Sequence, residues 1–129
     1  MSRSFTRIDK EDLARLASLA AADRDDLFKR KPGLARLYQH RVLCVALCQG
    51  AALHYVDGKN GIKDFDVWTF YRVHSVRPFP PRRNVPRDLG DAKFGKSPDC
   101  PGFIGRCVDC LGRSIPCRKG QEPFEAVRE

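Results

Sequence analysis

The chain has 129 residues, of which 42% are hydrophobic and 31% charged, and its formal net charge is +8 at pH 7. This length and composition predict one globular, soluble domain with a buried core. The longest apolar run, Val42–Cys48, is far too short to cross a bilayer, which excludes a membrane-spanning protein. The positive charge predicts an anionic partner such as a nucleotide, a nucleic acid or another phosphate-bearing molecule, the alternative being a generic basic surface.

Residues 1–41 are predicted to form an N-terminal helical layer. Asp9 is the expected cap of a first helix, with Asp12 three residues on. A second short helix is expected over residues 25–31, ended by a proline and a glycine, and one or two further helical turns over residues 34–40. Acidic and basic residues occur throughout the first thirty positions, without the apolar core segment of a signal peptide, so we expect no signal peptide and a cytoplasmic location.

The run Val42–Cys48 is hydrophobic on both faces, which predicts a central, buried strand. Gly50 and Ala51 follow it and lead into small helix-forming residues, a pattern typical of a strand–turn–helix junction. Free backbone N–H groups at such a helix start suit a phosphate. Gly50 and Ala51 are therefore candidate nucleotide-binding residues, although many α/β turns carry a glycine.

The segment from Asp64 to Tyr71 is rich in strand-forming residues and is predicted to be a β-strand. On a strand, Asp64 and Asp66 point to the same face, about 7 Å apart, while Phe65 and Val67 point into a core. Two carboxylates on one face repel each other unless a cation lies between them, and a hard divalent cation is the usual solution. The alternative is an exposed strand edge with two solvated acids.

Residues 72–102 carry six prolines and several arginines, and we predict a long irregular loop. Arg82 and Arg83 are candidate phosphate contacts within it, the alternative being a solvated loop. A third strand is expected over residues 103–115, where Asp109 has apolar neighbours and is costly to bury unless paired or metal-bound. The sequence thus predicts one α/β (α+β) domain over residues 1–129, with a small mixed sheet flanked by helices and a core at 42–115.

Six cysteines are present, and without an export signal we expect them to be reduced thiols. Four of them have spacings that could supply a structural zinc site: Cys100, Cys107, Cys110 and Cys117. On the predicted third strand, however, Cys107 and Cys110 would face opposite sides of the sheet. This orientation argues against a zinc site, but a small zinc-stabilised interaction module remains an alternative.

A glycine-containing turn, an acid-x-acid strand and a third acid between hydrophobic residues follow one another along the chain. This order over residues 42–115 resembles the nucleotidyltransferase superfamily, the fold of DNA polymerase beta and of the minimal nucleotidyltransferases. The matching positions are Gly50 with Ala51, then Asp64 and Asp66, then Asp109.

The resemblance implies that Asp64, Asp66 and Asp109 are catalytic and hold two magnesium ions, with Asp64 and Asp66 bridging them. It implies transfer of a nucleoside monophosphate from a nucleoside triphosphate to an acceptor hydroxyl of unknown identity, with the terminal phosphates bound near Gly50. The sequence departs from the family pattern at Ala51, where serine or glycine is usual. A non-catalytic protein of the same fold that binds a nucleotide or nucleic acid therefore also remains an alternative.

Overall fold

The computed structural model describes residues 4–48, 51–52, 55, 58, 61–80, 82–83 and 85–128. The helices are α1 (Lys10–Arg30), α2 (Pro32–Tyr38) and α3 (Pro123–Arg128), with a 3₁₀ turn at Ala92–Phe94. The strands are β1 (Val42–Cys48), β2 (Phe65–Arg72), β3 (Arg82–Arg83), β4 (Arg87–Asp88) and β5 (Cys107–Ile115). Within these residues, no helix combines the length and the apolar character needed to cross a membrane.

The five strands form one mixed sheet in the order β1–β2–β5–β3, with β4 also paired to β5. β2 runs parallel to β5, whereas β1 is antiparallel to β2, and β3 and β4 are antiparallel to β5. This confirms the predicted class, a small α+β fold with a mixed sheet and helices. The prediction that β1 is central and buried is wrong: it is the first strand in this order, and its side chains are half-buried or exposed.

Helix α1 begins with the predicted cap. The Asp9 side chain accepts a hydrogen bond from the Asp12 N–H at 2.9 Å, and the Asp12 side chain accepts one from the Asp9 N–H at 2.9 Å. This capping box satisfies two backbone donors at the helix start. Lys93 adds a second partner, since its Nζ lies 2.7 Å from Asp12 Oδ2.

The prediction of a separate helix over residues 25–31 is wrong, because α1 continues unbroken to Arg30. Its polar middle is paired with distant residues: Arg87 donates to Asp23 at 3.0 Å and to Asp26 at 2.6 Å. Arg24 donates to the Thr69 hydroxyl of β2 at 3.2 Å. The proline after α1 does not stop helical structure for long, because Pro32 itself is the first residue of α2, a position that suits proline.

The main core lies between α1 and one face of the sheet. It includes these buried side chains: Leu16, Ala20, Phe65, Val67, Val108 and Cys110. Phe65 and Val67 thus point into the core as predicted. Side chains alternate along a strand, so the neighbours of these core residues belong to the opposite face. They are Asp66 and Trp68 on β2 and Asp109 on β5.

A second cluster joins α2 to the sheet through aromatic rings. Tyr38 packs edge-on against Tyr71 and Phe79, with ring centroids 5.6 Å and 5.4 Å away, and Tyr71 stacks on Phe79 at 4.3 Å. Gly112 of β5 lies beneath them, where a Cβ atom would come within 2.9 Å of the Phe79 ring. The close approach of these rings to β5 therefore requires glycine.

The predicted loop over residues 72–102 is not wholly irregular, since it contributes β3 and β4, both paired to β5. The prediction that the third strand begins at residue 103 is also wrong, because β5 begins at Cys107. The Asp88 carboxylate accepts hydrogen bonds from the N–H groups of Ile104 at 2.6 Å and Gly105 at 2.8 Å. In a β-strand, these two N–H groups would instead donate to a neighbouring strand. Their bonds to Asp88 therefore keep Ile104 and Gly105 in a bend before β5.

Candidate functional site

Asp66 and Asp109 lie side by side in the sheet. They are register partners on β2 and β5, two adjacent parallel strands. Partners on neighbouring strands are about 4.8 Å apart and point to the same face. The fold therefore brings together two of the three predicted acids, on the sheet face opposite α1.

The pair occupies a partly enclosed position, with Asp109 7% exposed and Asp66 half-buried. Two cysteine thiols lie close to the pair. Burial, followed by the charge of Asp66, raises the pKa of Cys48, which is its register partner on β1. Burial, a hydrogen bond with Cys100 and then the charge of Asp109 raise the pKa of Cys107. Each carboxylate is thus close enough to a neighbouring thiol to raise its pKa.

Asp64 lies immediately before β2 and is held by Ser97. The Ser97 hydroxyl donates to Asp64 Oδ1 at 2.7 Å and accepts the N–H of Cys107, the first residue of β5, at 2.9 Å. Ser97 is only 1% exposed, so this link is shielded from water. It ties the start of β2 to the start of β5 and so fixes the third acid relative to the other two.

Arg106 provides a buried positive charge close to Asp64. It is 3% exposed, and its guanidinium donates to the carbonyl oxygens of Phe94 at 2.7 Å and Lys63 at 3.2 Å. Burial lowers the pKa of Arg106, and the charge of Asp64 opposes this effect. Sequence reasoning missed both Ser97 and Arg106, because each acts on residues far along the chain and neither has a recognisable local motif.

The donor set suits magnesium in part. Two adjacent carboxylates match the usual Mg²⁺ arrangement, in which one or two protein carboxylates bind together with waters and substrate phosphates. Over the positions that the structure describes, no group of three or more His, Cys, Asp or Glu side chains is placed to hold a metal ion. The fit therefore rests on the pair Asp66 and Asp109, since the Asp64 carboxylate accepts a hydrogen bond from Ser97 and does not complete a three-ligand group with them.

The predicted phosphate-binding residues are placed less fully. Gly50 lies outside the described residues. Ala51 has helical backbone and is 2% exposed, with its methyl group in the main core, so any contact with a phosphate would come from its backbone. Arg82 and Arg83 pair through their backbone with Gly112 and Leu111 of β5, and their side chains lie outside the described part.

The four-cysteine set is divided by the sheet. Cys110 packs in the core against α1, where burial, followed by the charge of Asp23, raises its pKa to about 11. Cys107 lies three residues earlier on β5, on the opposite face, next to Cys100. The predicted opposite orientation of Cys107 and Cys110 is therefore observed, and it separates two thiols that a zinc site would need together.

We expect excess chelator to leave the melting temperature of the wild-type protein unchanged. Cys107→Ser and Cys110→Ser should likewise remain folded in chelator, because the core contacts, and not a metal, hold β5 in place. Circular dichroism melts with and without chelator test this. A large fall in the melting temperature, together with one tightly bound zinc per chain, would contradict it.

Comparison of the chain with protein-family models, with curated proteins and with solved structures found no match.

Proposed function

We propose that this protein is a magnesium-dependent nucleotidyltransferase, which transfers a nucleoside monophosphate from a nucleoside triphosphate to an acceptor hydroxyl. The observation that carries the proposal is the pairing of Asp66 with Asp109 on adjacent parallel strands. The resemblance seen in the sequence requires an acid-x-acid strand next to a strand with a third acid. A fold in which these strands were apart would have removed its basis.

The roles of the protein residues follow from their positions. Asp66 and Asp109 would hold magnesium, which on binding supplies charge neutralisation for the triphosphate and activation of the acceptor hydroxyl. Asp109 is the more buried of the two carboxylates, so its attraction for a magnesium ion would be less screened by water. Ser97 and Arg106 position Asp64 and the two strand starts.

A second candidate is a protein of this kind that binds a nucleotide or nucleic acid without catalysis. The observation that favours it is Ala51, whose side chain is packed in the core and offers no hydroxyl to a phosphate. Retention of all three acids favours catalysis instead, since a purely binding role needs no set of carboxylates beside an anionic ligand.

The experiment is incubation of the purified protein with magnesium, each of the four labelled nucleoside triphosphates in turn and a cell extract as the source of acceptor. We expect labelled product with at least one triphosphate. Asp109→Asn should abolish the labelling, whereas the matched control Asp25→Asn, an exposed acid on α1, should not. Binding of a triphosphate without any labelled product would favour the second candidate, and neither binding nor labelling would contradict both.

We expect Arg82→Ala combined with Arg83→Ala to weaken triphosphate binding and to make its salt dependence shallower. Their backbone lies beside Leu111 and Gly112, close along β5 to Asp109, so loss of two positive charges there removes attraction for phosphates. Titration calorimetry at several salt concentrations measures this. The control is Lys29→Ala with Arg36→Ala, which removes the same charge from exposed positions on α1 and α2. If the two double variants have the same triphosphate affinity and the same salt dependence, Arg82 and Arg83 are solvated surface residues without a specific role in binding.

A further inference from the structure

The sheet face that carries Asp66 and Asp109 continues along both strands beyond the acids. Trp68, Phe70 and Arg72 follow Asp66 on alternate positions of β2, and Arg113 of β5 is the register partner of Phe70. We refer to Trp68, Phe70, Arg72 and Arg113 as the aromatic–arginine strip. Arg113 is four residues from Asp109, which corresponds to about 13 Å along a strand.

The arginines of the strip have unused donors. Arg113 is exposed, and within the described part of the chain its side chain makes no hydrogen bond or ion pair. Arg72 is half-buried, and its Nε atom is buried without a hydrogen-bond partner among these residues. A buried donor without an acceptor is costly, so among the described residues the Arg72 guanidinium keeps one unsatisfied N–H. The strip thus offers positive charge that the protein itself does not neutralise.

Phe70 and Arg113 of the strip line an open cleft, whereas Arg72 lines a separate pocket beside His40 and Arg41. A cavity of about 340 Å³ lies between the sheet and α3, and its lining combines apolar and cationic or amide side chains: Phe70, Arg113, Ile115, Arg118, Gln121 and Ala126. This volume is in the usual range of ligand sites, and an apolar floor with a few polar groups at the rim is their usual composition. The cleft can therefore accept a ligand with both flat apolar and anionic parts.

Aromatic rings connect the acids to the arginines. Trp68 is half-buried and lies two residues beyond Asp66, and its ring stacks on that of Phe70 with centroids 6.1 Å apart and 22° between the planes. Stacking aromatics next to a positively charged groove are the combination by which proteins bind single-stranded nucleic acid. The net charge of +8 adds a long-range attraction for such a polyanion.

We propose that the aromatic–arginine strip binds a single-stranded nucleic acid, with phosphates at Arg72 and Arg113, a base against Trp68 and the chain end directed to Asp66 and Asp109. That this end supplies the acceptor hydroxyl rests on the proposed function, whereas the binding itself does not. Arg113 lies about 13 Å along β5 from Asp109, and Arg72 lies about 20 Å along β2 from Asp66, so one triphosphate group held at the acids would not extend to both arginines. A polymer places further phosphates at such distances.

Trp68 is the only tryptophan of the chain, so its fluorescence reports directly on the strip. We expect a single-stranded oligouridylate or oligothymidylate to quench this fluorescence, with an affinity that falls as salt rises. Arg113→Ala should weaken the binding about tenfold at low salt and lower the slope of log affinity against log salt by about 1, because one phosphate contact is lost. Arg36→Ala, an exposed arginine on α2, is the matched control and should change neither quantity by as much.

Three outcomes overturn the proposal: no quenching by either oligonucleotide, quenching by inorganic triphosphate but not by oligonucleotides, or equal effects of Arg113→Ala and Arg36→Ala. Asp66→Asn separates this proposal from the proposed function, since it removes an acid and leaves the strip intact. If Asp66→Asn binds the oligonucleotide and the wild type shows no transferase activity, nucleic-acid binding by the strip is supported and the proposed catalysis is refuted. Transfer to small acceptors without oligonucleotide binding would refute the strip alone.

Discussion

Asp66→Asn is expected to abolish the stabilisation of the protein by magnesium and triphosphate, together with any transferase activity. A ligand adds stability only to a state that binds it, and the variant lacks one of the two adjacent carboxylates. Without ligand, the free energy of unfolding should stay unchanged or rise by up to about 1 kcal/mol, because relief of the repulsion between Asp66 and Asp109 opposes the loss of any hydrogen bond that Asp66 makes. Activity should fall by more than about 100-fold, since even outer-shell partners of a metal contribute 10- to 100-fold.

Thermal melts of wild type and variant, each with and without magnesium and the four triphosphates, provide the measurement. Asp25→Asn is the control of equal charge change, and it should retain the full ligand-dependent shift. A wild-type melting temperature that no triphosphate raises would remove the main support for catalysis. An apo variant destabilised by several kcal/mol would instead indicate that Asp66 serves the fold.

Tyr38→Ala is expected to lower the free energy of unfolding by about 3–5 kcal/mol, the usual loss for a large buried aromatic. Tyr38 is 0% exposed and joins α2 to β2 and to the loop that follows β2. Its hydroxyl donates to the Arg77 carbonyl oxygen at 2.6 Å and accepts the His74 N–H at 2.9 Å. Truncation to alanine removes both bonds and opens a cavity beside Tyr71 and Phe79.

Urea denaturation of the wild type and of two variants separates these contributions. Tyr38→Phe keeps the ring and loses only the hydroxyl, so we expect a smaller loss of about 1–3 kcal/mol. If Tyr38→Ala does not fold at all, the phenylalanine variant still provides a measurable value. A loss below about 1 kcal/mol for the alanine variant would contradict the role assigned to Tyr38.

Local patterns predicted the features that depend on neighbouring residues. Asp9 and Asp12 predict the start of α1, and the alternation around Asp66 predicts Phe65 and Val67 in the core with the acid on the other face, as observed. These features depend on helical or strand periodicity over a few residues. The sequence also indicates Asp109 as a candidate site residue, because an aspartate in an apolar run is unusual by itself.

Features that depend on distant partners were missed. The prediction of a separate helix over residues 25–31 did not anticipate that Arg87 of β4 pairs with Asp23 and Asp26 on one continuous helix. Ser97 gave no signal because its partner Asp64 lies 33 residues away. The short strands β3 and β4 exist only through their pairing with β5, and a proline-rich segment carries no strand pattern of its own.

The parallel pairing of β2 with β5 has a consequence for how the molecule folds. Phe65 pairs with Val108, so roughly a third of the chain must be closed into a loop before this ladder can form. Loop closure is an entropic cost that precedes the contacts which reward it, and such non-local pairing slows folding. Since Asp66 and Asp109 become neighbours only through this ladder, the acidic pair exists only after the slowest pairing is complete. A nascent or partly unfolded chain therefore does not bring these two carboxylates together.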